Sequence, residues 1–237
     1  MSHHLDAGIL FRSPQSGTQP AYATPAYRST ALRAPLSAPV SFPDSLTETT
    51  GPRFAPDRFP PIADLSRTDG HDAQGQRIIV AGTVSDESGR PVPHTMIELW
   101  QANAAGRYCH AIDAHDAPLD PHFHGAGRVF ADADGQYRFV TVRPGSYPWR
   151  NHHNAWRPSH IHFSLFGPAF AQRLITQMYF EGDPLLAFDP IFHSLPDPQA
   201  RDRLVARFTP DLTKPEWALG YRFDIVLRGR AATPMEA

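Results

Sequence analysis

The sequence predicts a mainly β fold, an antiparallel β-sandwich core with a long irregular N-terminal arm and few short helices. Short runs of β-branched or alternating residues recur from residue 76 onward, as in half-buried strands. Turn sequences rich in Gly, Asp and Pro separate these runs, which is typical of an antiparallel sandwich or barrel. Proline accounts for 25 of the 237 residues. That is about twice its average frequency, and it argues against long helices.

The predicted elements follow one another at short intervals. The predicted strands are residues 77–84, 95–101, 136–142, 160–165, 174–180 and 221–227. Turns are predicted at residues 86–91 and 132–135. One helix is predicted after Asp197, which would be its N-cap, with Pro198 as its first residue. The side of this helix that faces the core would carry Ala200, Leu204, Val205 and Phe208.

Residues 1–75 show no periodic pattern, and prolines and alanines recur through them. The segment is not a low-complexity linker, because aromatic residues are interspersed: Phe11, Tyr22, Tyr27 and Phe42. We interpret residues 1–75 as an extended arm that packs on the core or on a partner subunit. Residues 76–237 then form the β-sandwich domain that carries the candidate site.

Charge and composition exclude several classes of partner. The formal net charge of −2 gives no indication of nucleic acid or an anionic membrane as a partner. No apolar run approaches the roughly 20 residues that a membrane helix needs, and the first residues lack the pattern of a secretory signal. Cys109 is the single cysteine, so no intrachain disulfide can form and a cytoplasmic location is expected.

The segment 157–165 alternates polar and apolar residues with period two. Side chains two residues apart share one face of a strand, so His160 and His162 would lie about 6.6 Å apart at the backbone. At that spacing two imidazoles can converge on one metal ion. Apolar packing of the other face would hold the strand still. The alternative is that the two histidines only line a polar surface.

The other histidine pairs are weaker candidates. His122 and His124 lie in a segment bounded by proline and glycine, where a loop would not fix their spacing. His152 and His153 are adjacent and would point apart in an extended chain, so we expect both to be solvated. The sequence contains no phosphate-binding loop, dinucleotide glycine fingerprint, H-E-x-x-H or G-x-S-x-G motif. Because a single cysteine cannot build a thiolate site, a metal site would use histidine, carboxylate or tyrosinate ligands.

Seven segments resemble, in the same order, the intradiol ring-cleaving dioxygenases, and among them the chains that act on protocatechuate (3,4-dihydroxybenzoate). They are residues 78–82, 98–103, 106–108, 144–151, 156–163, 177–184 and 221–229. By this resemblance, a non-haem Fe(III) would be held by Tyr108, Tyr147, His160 and His162. Ferric iron is a hard cation that suits oxygen anions, and a phenol ionises readily on such a cation.

The resemblance also implies the reaction. A small aromatic diol would bind as a dianion, and O2 would open its ring between the two hydroxyl-bearing carbons. Tyr147 would take a proton from the diol, and Arg157 would stabilise developing negative charge; a structural ion pair is the alternative for Arg157. Positions that match substrate contacts are Tyr27, Trp149, Ile191 and Gln177, and Trp100 and Tyr179 match positions beside the site.

A partner follows from the same resemblance, namely a homologous α chain without the iron ligands, in a heterodimer that assembles further. Some loop residues depart from the family pattern and put the substrate preference and the loop conformation in question: Cys109, His122, His124, His152 and His153. Two other functions stay open at this point. One is an intradiol dioxygenase for catechol or hydroxyquinol, and the other is a non-enzymatic transthyretin-like binding sandwich with an incidental H-x-H pair.

Overall fold

The computed structural model describes residues 15–21, 23–26, 37, 57–151, 153, 156–166 and 173–236. The strands in this part of the chain are β1 (Arg67–Thr68), β2 (His71–Asp72), β3 (Arg77–Ser85), β4 (Met96–Trp100), β5 (Ala126–Phe130), β6 (Gln136–Val142), β7 (Tyr147–Pro148), β8 (Trp156–Arg157), β9 (His160–Phe166), β10 (Arg173–Phe180), β11 (Val205–Phe208), β12 (Leu219–Arg222) and β13 (Ile225–Val226). The helices are α1 (Pro198–Asp202) and the short 3-10 helices Pro184–Phe188, Phe192–Ser194 and Pro210–Leu212. None of these helices is long and apolar enough to cross a membrane.

Two sheets enclose the hydrophobic core. In one sheet β5, β4, β9 and β10 are neighbours, and in the other β6, β3 and β12 are neighbours. β11 pairs in parallel with β10 and antiparallel with β12, so it joins the two sheets. Buried side chains of both sheets form one cluster, which includes Ile78, Ile97, Phe139 and Phe163. The predicted β-sandwich is confirmed, although β12 and β13 run parallel to β3.

β9 is an interior strand, paired antiparallel with β4 on one side and with β10 on the other. Ile161, Phe163 and Leu165 belong to the core cluster and have no exposed surface. Alternation puts His160 and His162 on the opposite face of the strand. These two side chains are also buried, at 2% and 9% exposure. This burial argues against the alternative in which the two histidines line an exposed polar surface.

Each of the two predicted turns is stabilised by an aspartate side chain that accepts two backbone hydrogen bonds. The side-chain oxygen of Asp86 accepts hydrogen bonds from the backbone N–H groups two and four residues later, at 2.8 and 3.0 Å. Asp132 does the same at 2.9 and 2.8 Å. Such Asx turns satisfy backbone donors that a reversing chain would leave unpaired.

The helix predicted after Asp197 begins as expected. Pro198 is its first residue, and the Asp197 carboxylate accepts a hydrogen bond from the backbone N–H of Gln199 at 2.9 Å. Ala200 and Leu204 are buried, as the predicted apolar side required.

The predicted continuation of this helix to Phe208 is wrong. The helix ends at Asp202, and residues 205–208 form β11. A β-branched side chain such as Val205 packs well in a strand. Pairing with β10 and β12 gives this segment backbone partners in both sheets, and tertiary pairing of this kind overrides local helical periodicity.

Residues 62–65, which fall inside the predicted arm, lie on the sandwich. The backbone N–H of Ile62 donates to the carbonyl of Arg128 at 2.8 Å, and that of Leu65 donates to Val140 at 2.9 Å. The Leu65 side chain is fully buried. It packs so closely on Gly127 that a Cβ there would lie 2.5 Å from Leu65 Cδ1. The domain boundary at residue 76 stays a prediction.

We predict that Leu65→Ala lowers the free energy of unfolding by about 2–5 kcal/mol, because it leaves a cavity among buried side chains. Ile62→Ala is the matched control. It removes a side chain from the same segment that is 37% exposed, so its cost should be clearly smaller. Denaturant titration followed by circular dichroism measures both. Small and equal losses would show that this segment is not part of the cooperative core.

Candidate functional site

Two phenols and two imidazoles converge at one end of β9. The hydroxyl of Tyr108 lies 3.2 Å from His162 Nε2 and 3.5 Å from His160 Nε2. The hydroxyl of Tyr147 lies 3.4 Å from His160 Nε2. Donor atoms that bind one metal ion at about 2 Å lie about 3 Å from one another. The four side chains therefore have the spacing of a ligand set.

Both histidines direct Nδ1 away from the phenols, as histidines that bind a metal through Nε2 do. His160 Nδ1 lies 2.7 Å from the carbonyl oxygen of Pro158, and His162 Nδ1 lies 3.1 Å from Oε2 of Glu236. A carbonyl or a carboxylate only accepts, so Nδ1 is the donor in each ring. Nε2 of both rings then faces the phenols.

The loops that carry the two tyrosines contact each other through glycines. Gly106 has φ +82°, and a Cβ there would lie 2.3 Å from the carbonyl oxygen of Ser146. A Cβ on Gly145 would lie 2.4 Å from the carbonyl oxygen of Ala104. A side chain at either position would push the loops apart.

Two further contacts fix the Tyr147 loop to the histidine strand. Ser159 Oγ donates to the carbonyl oxygen of Pro144 at 2.7 Å. Tyr147 pairs with Arg157 in the two-stranded ladder of β7 and β8. Because Ser159 directly precedes His160, these contacts link the loop to the start of the histidine strand.

Arg157 is buried, at 3% exposure, and its guanidinium is surrounded by polar groups. Its Nε lies 3.2 Å from Oδ1 of Asp189, which has no exposed surface. Its Nη2 donates to Gln177 Oε1, and at 3.3 Å to the Tyr179 hydroxyl and to Asp189 Oδ2. The ring of Trp149 lies 5.2 Å from the guanidinium carbon. This network fixes a positive charge beside the phenols.

Burial is the main influence on the pKa values of Tyr108, Tyr147 and His160. It raises the pKa of the Tyr108 phenol well above its ordinary value and raises the pKa of Tyr147, although the charge of Arg157 opposes this rise. Burial also lowers the pKa of His160 well below its ordinary value, and the charge of Arg157 lowers it further. His160 is therefore neutral near pH 7, and its Nε2 lone pair is available. A phenolate would form here only beside a cation.

The sequence-predicted residues fall into three groups. Tyr108, Tyr147, His160, His162 and Arg157 come together as described. A second group surrounds these residues: Trp149 and Gln177 contact Arg157, and the Tyr179 hydroxyl donates to Gln177 Oε1 at 2.9 Å. The ring of Trp100 stacks on that of His162, with centroids 4.8 Å apart. Ile191 is buried two residues after Asp189. Tyr27 and His152 lie outside the described residues.

His122 and His124 contact residues that are not part of the candidate site. The ring of His122 lies 4.8 Å from that of His71, and the backbone N–H of His124 donates to Leu65. His153 is exposed. Across the described residues, no group of three or more His, Cys, Asp or Glu side chains could hold a metal ion.

Sequence reasoning missed Glu236 and Asp189. Glu236 follows 74 residues after His162, and Asp189 follows 32 residues after Arg157. Burial raises the pKa of Glu236, but the hydrogen bond with His162 and the charge of Arg157 outweigh it and hold that pKa below its ordinary value. No local pattern marks either carboxylate, because only the tertiary fold brings them to their partners.

Comparison with known proteins gives consistent matches. The family model described as Dioxygenase matches residues 49–229, and the one described as Protocatechuate 3,4-dioxygenase beta subunit N terminal matches residues 11–45. The protocatechuate 3,4-dioxygenase beta chain of Burkholderia cepacia is 55% identical over 235 residues, which are 98% of this chain and 100% of that one.

Two further matches are more distant. The protocatechuate 3,4-dioxygenase alpha chain of Pseudomonas putida is 31% identical over 164 residues, 68% of this chain and 76% of that one. Among solved structures, the dioxygenase domain of a dioxygenase–carbohydrate-binding fusion from Streptomyces sp. SirexAA-E has a TM-score of 0.52. It is 28% identical, and the match covers 76% of this chain and 94% of that domain.

We predict that Asp189→Asn lowers the free energy of unfolding by about 3–5 kcal/mol, because it leaves the charge of Arg157 buried without its counter-ion. Asp202→Asn is the matched control, since it neutralises the exposed partner of Arg207 and should cost under about 1 kcal/mol. Denaturant titration of the three proteins provides the test. A cost at Asp189 no larger than at Asp202 would contradict the electrostatic role of this pair.

Proposed function

The chain belongs to the intradiol dioxygenase family, and from that membership we propose that it cleaves protocatechuate with O2 to 3-carboxy-cis,cis-muconate, in aromatic-compound catabolism. The observation that carries the proposal is the convergence of two phenols and two imidazoles beside a buried arginine. The choice of substrate is supported by 55% identity, over nearly the whole chain, to a protein named protocatechuate 3,4-dioxygenase beta chain.

We propose a mononuclear non-haem Fe(III) as the cofactor, with Tyr108, Tyr147, His160 and His162 as its ligands. The donor set suits this ion, because two phenolate oxygens match a hard trivalent cation and two neutral imidazoles complete the set. When bound, ferric iron supplies the positive charge that binds the diol as its dianion and makes its ring reactive toward O2.

Tyr147 has a second proposed role, as the base for the diol. Its phenolate oxygen would accept a proton from an incoming hydroxyl group. The charge of Arg157 lowers the pKa of Tyr147 and so favours the phenolate that this role requires, although burial raises that pKa more strongly. The same fixed charge would stabilise negative charge that develops on the substrate. Because Asp189, Gln177 and Tyr179 hold the guanidinium, little reorganisation would be needed.

Four residues are proposed to contact the substrate. Trp149 covers Arg157, and Ile191 offers an apolar side chain close to Asp189 in the chain. Gln177 Nε2 is buried and makes no close hydrogen bond among the described residues, although the Gln177 side chain helps to lower the pKa of Glu236; it is proposed to donate to a ligand oxygen. Tyr27, from the arm, is proposed to contact the ring substituent.

We propose that the chain works with a homologous α chain, in a heterodimer that assembles further. One support is its similarity both to a protein named beta chain and to a protein named alpha chain. Another is a pair of exposed apolar side chains that are close to site residues in sequence. Trp156 and Phe188 are 46% and 60% exposed, and each directly precedes a buried charged residue of the site in sequence. The single cysteine supports a cytoplasmic location.

We predict that His160→Ala and His162→Ala each lose most of the iron and the visible tyrosinate-to-iron absorption, because each removes one of four ligands. His122→Ala and His124→Ala are controls that should keep both. Metal analysis and absorption spectra of the purified variants measure this, together with O2 uptake on protocatechuate and catechol. Full iron in either ligand variant would contradict the assignment. A colourless, iron-free wild type would favour a binding sandwich instead.

We also predict that the chain expressed alone has lower activity than the chain co-expressed with an α chain. The reason is that the exposed side chains of Trp156 and Phe188, and the arm, would gain a surface to pack on. Mass measurement by light scattering and O2 uptake per iron provide the comparison. A fully active, iron-loaded monomer would contradict the partner while leaving the dioxygenase assignment in place.

A further inference from the structure

The two candidate histidine ligands differ in the hydrogen-bond partner of Nδ1, the ring nitrogen that points away from the phenols. His160 donates to a backbone carbonyl two residues away on its own segment, at 2.7 Å. His162 donates to the Glu236 carboxylate, which comes from the C-terminal end of the described chain, at 3.1 Å. A carboxylate pulls more strongly on the Nδ1 proton than a neutral carbonyl does, so it makes the ring a stronger donor at Nε2. The two imidazoles are therefore not equivalent.

The segment that carries Glu236 is fixed in place. The backbone N–H of Glu236 donates to Ile175 at 2.7 Å, and Thr176 Oγ1 donates to the carbonyl of Pro234 at 2.7 Å. Thr233 and Val226 exchange two further hydrogen bonds, at 2.8 and 3.0 Å. The Glu236 side chain is 22% exposed and that of His162 is 11% exposed. The contact is thus shielded from water and anchored by the backbone.

We propose that Glu236 is a positioning residue for the metal site, which sets the tautomer and direction of the His162 ring and strengthens it as a ligand. This proposal rests on the proposed function, since it concerns the same iron. The role requires the Glu236 carboxylate itself, which the backbone hydrogen bond from Glu236 to Ile175 brings to His162. Loss of such a partner behind a metal-bound histidine typically weakens metal binding about 10- to 100-fold.

The test compares Glu236→Gln with Thr176→Val in the iron-loaded protein. Glu236→Gln keeps the shape of the side chain and removes its charge. Thr176→Val removes the hydrogen bond to Pro234 and leaves the carboxylate intact. We expect Glu236→Gln to bind iron about 10- to 100-fold more weakly in chelator competition, with a shifted charge-transfer band. Thr176→Val should retain wild-type affinity and spectrum.

Three outcomes would overturn the proposal for Glu236. Wild-type affinity and an unshifted band in Glu236→Gln would overturn the proposal and leave the dioxygenase assignment standing. Equal loss of iron in Thr176→Val would also overturn it, because the tail would then act only by its packing. A wild-type protein that binds no iron would overturn the proposed function and this proposal together. Glu236→Ala, which is shorter and uncharged, should lose at least as much affinity as Glu236→Gln.

Discussion

The contact between the Gly106 and Gly145 loops is the constraint on which the site depends. The two backbones approach so closely that neither position has room for a Cβ, and the left-handed φ of Gly106 adds a second reason for glycine there. Tyr108 and Tyr147 each follow one of these glycines by two residues. The loop contact therefore sets the separation of the phenols, and the hydrogen bond from Ser159 to the Tyr147 loop sets their distance from β9. A looser contact would leave two tyrosines near two histidines without a common centre.

Charge balance explains why such a site suits a trivalent ion under the proposed function. With both phenols ionised, Tyr108, Tyr147, Asp189 and Glu236 would carry four negative charges against the single positive charge of Arg157. A ferric ion cancels the remaining three, whereas a ferrous ion would leave one negative charge uncompensated. Uncompensated charge is costly where water is excluded. Under the proposed function, the carboxylates that contact Arg157 and His162 would thus also favour the oxidised state of the metal.

The sequence predicted what depends on local pattern and missed what depends on tertiary contacts. Period-two alternation identified the histidine strand, and Asp197 with Pro198 identified the start of α1. The predicted end of that helix was wrong because residues 205–208 pair as a strand with β10 and β12. Periodicity in the sequence does not report such pairing. The two tyrosines were suggested by resemblance rather than by pattern, since a lone tyrosine in a loop has no spacing to interpret. Glu236 gave no signal at all.

The register of β10 explains how a residue near the chain end reaches the centre of the site. β10 pairs with β11 only at Tyr179 and Phe180, so its first half would present an open edge on that side. Open edges attract other chains, and the C-terminal segment covers this one by hydrogen bonding to Ile175. In the register of β9 and β10, Gln177 lies opposite His162, and Ile175 is two residues away on the same face. A segment that closes the edge at Ile175 therefore brings its last carboxylate within reach of His162. The segment that closes the sheet edge thus also supplies the hydrogen-bond partner of His162 Nδ1, which is why the H-x-H motif alone does not define this site.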